Sequence, residues 1–86
     1  MGLSDWNIGT VIRPGSGAFE ITPSNTNELA YTTRAVYIGV DGDLRVTMVN
    51  DDVVTFVGML GGVLYPIQVK QVWSTGTDAD SIVGIY

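Results

Sequence analysis

The sequence contains no cysteine and no histidine. The first absence excludes the disulfides that stabilise many domains of this size; the second removes the commonest metal ligand and the commonest general base. Positive charge is also scarce. Arg13, Arg34, Arg45 and Lys70 stand against nine carboxylates, giving a net charge of −5. Such a chain repels phosphate backbones, so nucleic acid is not expected as a partner. No apolar run reaches the roughly 20 residues that cross a bilayer. The longest candidate, Val53 to Tyr65, is broken by Thr55, Gly58, Gly61 and Gly62, and no membrane partner is expected. The first residues, Met1-Gly2-Leu3-Ser4-Asp5-Trp6, carry neither the basic start nor the apolar stretch of a secretory leader. Charged residues make up only 15% of the chain and hydrophobic ones 45%, against a charged share of about 25% in average domains. Much of the surface is therefore expected to face protein. A chain of 86 residues buries only about 60–65% of its unfolded surface, and oligomerisation is the reinforcement its composition leaves open.

Residues 1–17 read as an extended N-terminal arm and 18–86 as a single β-sandwich domain. The stretch to Thr33 is rich in Gly, Pro, Ser, Thr and Asn, a turn and loop composition with room for one or two short strands. The arm nevertheless carries Trp6, Ile8, Val11 and Ile12, too much apolar surface for a solvated tail, so it is expected to dock on its own domain or on a neighbour. From Ala35 the pattern alternates: Val36 and Ile38 oppose Ala35 and Tyr37, and Leu44, Val46 and Met48 oppose Arg45, Thr47 and Val49. Asp41-Gly42 between them suits a two-residue type I′ turn, and Asn50-Asp51-Asp52 then leads into Val53 to Val57. A three-strand meander is expected. Val63 to Trp73 reads as one long strand bent at Pro66, which cannot donate to a ladder. Ser81 to Tyr86 reads as a last strand whose end is paired or buried. The fold class is all-β, a small antiparallel sandwich or barrel of jelly-roll type with the arm attached.

The chemistry-bearing residues do not assemble into a catalytic pattern. Without histidine a Ser or Thr nucleophile lacks its usual base, and no enzyme is expected. The pairs Asp41/Asp43, Asp51/Asp52 and Asp78/Asp80 fall in turns, where aspartate bonds its own backbone; a weak Ca²⁺ site is the lesser reading of them. Gly15-x-Gly17 lacks the strand–turn–helix context of a nucleotide loop. No cofactor or metal is expected. Trp6, Trp73 and the tyrosines could form a sugar-stacking platform, which keeps a carbohydrate-binding module open, although such residues more often anchor cores and interfaces. An acidic inhibitor or nucleic-acid mimic is weaker still, because its carboxylates would have to line one stripe. The candidate interface set is Trp6, Ile8, Val11 and Ile12 of the arm, Met59 and Leu60 at the tip of the Gly58–Gly62 loop, and Tyr86.

Three blocks in order carry a resemblance: Thr33-Arg34-Ala35-Val36-Tyr37-Ile38-Gly39 followed by Gly42-Asp43, then Pro66-Ile67-Gln68-Val69-Lys70, then Ser74-Thr75-Gly76-Thr77 before an apolar strand. With Thr22-Pro23-Ser24 and Val53–Val57 they cover about two-thirds of the chain, and the sequence resembles the spike base proteins of gene transfer agents and tailed phages. Met1 to Gly17 and the Asn50-Asp51-Asp52 turn depart from that pattern. The resemblance implies a virion protein on the outer surface of an icosahedral capsid, partnered by the major capsid protein and by a head spike or fibre. It would be either the base that anchors the spike or a cement protein decorating the shell. A homo-oligomer, trimer or pentamer, would follow from the symmetry site occupied.

Overall fold

The computed structural model describes residues 15–86. Among them seven strands run in the order β1 (Ala18–Glu20), β2 (Ala35–Ile38), β3 (Gly42–Met48), β4 (Val53–Met59), β5 (Val63–Tyr65), β6 (Val69–Val72) and β7 (Val83–Ile85), with no helix. They form two antiparallel sheets, β1-β7-β2-β5 and β4-β3-β6. The expected all-β sandwich is what the chain forms. Trp6, Ile8, Val11 and Ile12 lie outside the described residues.

The period-2 pattern explains the core. On β2, Val36 and Ile38 have no exposed surface while Tyr37 between them is exposed; on β3, Leu44 and Val46 are likewise sealed. These four face one another across the sheets and join Ile21, Met59, Val69, Val72, Ala79 and Ile82 in one cluster. Each large side chain so buried contributes about 1.5–3 kcal/mol before ordering costs.

The meander is not formed. β2 pairs with β5 and β7, whereas β3 pairs with β4 and β6, so Asp41-Gly42 carries the chain from one sheet to the other. A type I′ turn needs positive φ at both central residues. Among the described residues positive φ falls instead at Asp51, Gly58, Gly62, Gly76 and Ser81. The tight hairpin is the next one, β3–β4: Asp51 N–H donates to the Met48 carbonyl (2.9 Å), Met48 N–H donates to Asp52 (2.7 Å), and Asp51 takes φ 76°. This is a three-residue loop closing on a left-handed residue.

The long strand expected over Val63–Trp73 is also two strands. Pro66 has no N–H to offer a ladder, and the chain leaves β5 there, crosses at 66–68, and enters β6 in the opposite sheet.

Candidate assembly surface

The two margins of the sandwich are finished differently. β6 ends its sheet, but the connection from β1 to β2 covers its outer edge: Ser24 N–H donates to Val72 (2.8 Å), Leu29 to Lys70 (2.8 Å) and Thr33 to Val69 (3.0 Å). β4 ends the same sheet on the other side, and among the described residues it pairs with β3 alone. It runs into β5, the edge of the second sheet, through residues 60–62. The edge strands β4 and β5 of the two sheets thus lie along one margin.

That margin is apolar. From Val53 to Tyr65 there is no charged side chain, and Val53, Val54, Val57, Leu60, Val63 and Leu64 are all open to solvent, Val57 to 80% and Leu60 to 59%. Tyr37 pairs with Leu64 and extends the surface onto the outer face of the four-stranded sheet. Uncharged β-branched residues on an unpaired edge template further pairing, and exposed apolar surface of this kind marks a contact site.

Of the loop residues expected at the interface, Leu60 lies on this margin and Met59 does not. Met59 is 5% exposed and belongs to the core. A bulge causes the difference. Leu44 pairs with Phe56 but Gly42 pairs with Met59, so β4 has one residue more than β3 over this interval. Gly58 takes φ 72° there and donates its N–H to an Asp43 carboxylate oxygen (3.0 Å). The extra residue reverses the alternation and turns Met59 inward.

Tyr86 lies at the opposite margin. Its ring stacks on Tyr31 at 3.9 Å between centroids and 6° between planes, and Phe19 closes the cluster at 5.7 Å from Tyr31 and 5.8 Å from Tyr86. Ser16 N–H donates to the Tyr86 carbonyl (2.6 Å), and Tyr86 N–H to Gly17 (3.0 Å), so residues 15–17 enter beside this cluster. The structure therefore separates Leu60 from Tyr86 rather than uniting them in one patch.

Hydrogen bonding to Tyr31, then the charge that Tyr31 would carry and burial, hold the Tyr86 hydroxyl above the ordinary tyrosine pKa. A folded pKa above the unfolded one means that this contribution is complete below about pH 10 and fades as pH rises through the raised value. Tyrosinate absorbance should show late ionisation of Tyr86, and in Tyr31→Phe that ionisation should move back to lower pH. An unchanged titration would refute the coupling.

The aspartates bond backbone N–H groups, Asp80 within its own turn but Asp41 and Asp43 across to the distant 58–61 segment. Asp41 accepts from Gly61 N–H, Asp43 from Gly58 N–H and Asp80 from Ser81 N–H. Among the described residues no three of them, with or without Glu28 and Glu20, gather into a metal-binding group. Asp51 instead pairs with Lys70, and that hydrogen bond raises the Lys70 pKa. Trp73 is half-buried, its indole N–H donates to Thr47 Oγ1 (3.0 Å), and the Arg45 guanidinium lies 4.7 Å from the ring centroid. One face of the proposed sugar platform is thus already occupied.

The class of protein this defines is a small antiparallel sandwich with one apolar sheet margin that no described strand pairs with. No protein-family model matches the chain, and no curated protein matches it. Among solved structures it is similar to a chain in the capsid of a native gene transfer agent particle computed with C5 symmetry. The TM-score is 0.76 and the identity 32%, over 85% of this chain and 84% of that one. The chain belongs to the family of that gene transfer agent capsid protein.

Proposed function

We propose that the chain is a structural component of a phage-like virion, seated on the outer surface of an icosahedral capsid as the base on which a head spike or fibre is anchored. The observation that carries this reading is the 32% identity, over 85% of this chain, to a chain of a gene transfer agent capsid. The uncharged margin from Val53 to Tyr65 supports it, since a fold of this size with such an exposed edge is suited to life within an assembly. The partners on this reading are the major capsid protein, further copies of this chain, and the spike. A cement role would use the same surfaces. The particle to which the similar chain belongs was computed with five-fold symmetry, and a pentameric base suits a five-fold position. The reading involves no catalysis: the chain would act by binding.

Residues 1–17 act in this scheme as the attachment arm and 18–86 as the folded body. Removing residues 1–14 should leave the sandwich folded, with unchanged far-ultraviolet circular dichroism, yet abolish its retention on purified particles. Truncated protein recovered on particles at full occupancy would overturn the arm's role. Leu60→Ser should weaken retention without loss of stability, because Leu60, unlike Met59, supports nothing in the core. Localisation of the chain by electron cryomicroscopy of the particles, with and without its gene, tests the reading as a whole.

A further inference from the structure

The β4 edge needs an occupant, and the sequence supplies one. We propose that residues 8–12 of a neighbouring copy add to the free edge of β4 as an antiparallel strand, linking copies head to tail. The proposal rests on the reading of the chain as an assembling capsid component and names the partner of its apolar margin.

The first argument is the acceptor. Among the described residues the fold covers the β6 edge with its own chain and leaves β4 open along Val53-Val54-Thr55-Phe56-Val57, a β-branched and aromatic run without charge or proline. Main-chain pairing to such an edge supplies affinity, and alternate side chains supply specificity.

The second is the fit of the donor. Ile8-Gly9-Thr10-Val11-Ile12 is itself β-branched, and Pro14 ends ladder bonding just beyond it. Antiparallel pairing with Ile12 opposite Val53 sets Val11 against Val54, Gly9 against Phe56 and Ile8 against Val57. Val54 and Phe56 share the inner face with Val46 and Leu44, so Gly9 leaves room for the half-buried Phe56 ring. Ile8 and Ile12 then cover the outward valines. Arg13 arrives at the acidic Asp51-Asp52 turn, where Lys70 pairs with Asp51.

The third is reach. Gly15 packs against Ile85, and Ser16 and Gly17 bond Tyr86, so the donor leaves from the β1/β7 margin. Three residues separate Ile12 from Gly15 and span about 10 Å at full extension. β1 and β5 are three strand spacings apart, about 14 Å, and β4 lies beyond, in the other sheet. A chain cannot place residues 8–12 on its own β4, but a neighbour can. Donor and acceptor on opposite margins make a heterologous contact, the kind that closes into rings.

Because the chain has no cysteine, the test uses introduced thiols only. The full-length double variant Val11→Cys/Val54→Cys is oxidised mildly, free at high concentration and bound to particles. Directly opposed positions in an antiparallel pair meet disulfide geometry, so a ladder of covalent oligomers is expected, at least tenfold stronger than from Val11→Cys/Val40→Cys. In parallel, Val57→Lys should weaken self-association at least tenfold by native mass spectrometry. An internally linked monomer would show the chain's own arm on β4. Linked dimers from Val54→Cys alone would show two β4 edges meeting. Either result overturns the proposal, as does the lack of any ladder in both settings. Loss of the protein from particles with the ladder intact would instead count against the capsid reading alone.

Discussion

Gly42→Ala is expected to cost about 3 kcal/mol of stability, a fall of roughly 12–24 °C in Tm for a domain of this size. A Cβ at Gly42 would lie 2.5 Å from Ala79 N and 2.6 Å from the Asp78 carbonyl carbon. Both are backbone atoms, and Asp78 and Ala79 are held by donating their N–H groups to the Asp43 carbonyl (2.8 and 3.1 Å). The neighbours therefore cannot yield as a flexible side chain would. Gly42→Asn separates two readings of the same dipeptide. A type I′ turn accepts Asn readily because Asn tolerates positive φ. At a crossover where the obstacle is contact with 78–79, Asn is as damaging as Ala. Urea denaturation of both variants decides: losses of similar size support the crossover, and a near-neutral Gly42→Asn would mean that Asp41-Gly42 is a turn after all.

The same position shows where a sequence stops being informative. Alternation is local chemistry, so the inward set Val36, Ile38, Leu44 and Val46 was legible, as was the turn at Asn50-Asp51-Asp52. Pairing is not local. Asp41-Gly42 has the composition of a hairpin turn, but φ at these residues follows from which sheets β2 and β3 enter, and that depends on β5, β6 and β7 far along the chain. Pro66 signalled an interruption without saying whether the strand bends or changes sheets. Met59 was misplaced because a single bulge residue reverses every later side chain. The arm and Leu60 were visible as surplus apolar residues. Val53, Val57 and Leu64 were not, because a valine in a central strand and one on an open edge have the same sequence signature. Tyr31 sits in an irregular stretch between β1 and β2, and nothing in the sequence around it points to Tyr86.

Thr33→Val is expected to lose about 3 kcal/mol and to open the second edge of the three-stranded sheet. Thr33 is buried at the point where the β1–β2 connection crosses β6. Its hydroxyl donates to the Ile67 carbonyl (3.0 Å) and accepts from Val69 N–H (3.1 Å), while its own N–H donates to the Val69 carbonyl (3.0 Å). Valine matches the shape but leaves the buried Val69 N–H and the half-buried Ile67 carbonyl without this partner, the costly way to lose a hydrogen bond. Thr33→Ser keeps the hydroxyl and should cost only about 1 kcal/mol for the missing methyl. The consequence reaches beyond stability. Residues 24–33 are what cover the β6 edge, so loosening them leaves both edges of the sheet open where the native fold leaves one. On the proposed assembly through one free edge in a fixed direction, the other edge must stay closed, since two open edges permit unlimited sheet growth. Thr33→Val should therefore aggregate below its melting temperature while Thr33→Ser stays in the native oligomeric state. Static light scattering during a slow thermal ramp reads this directly, and a Thr33→Val protein that melts low without aggregating would show that the β6 edge is protected by something other than this strap.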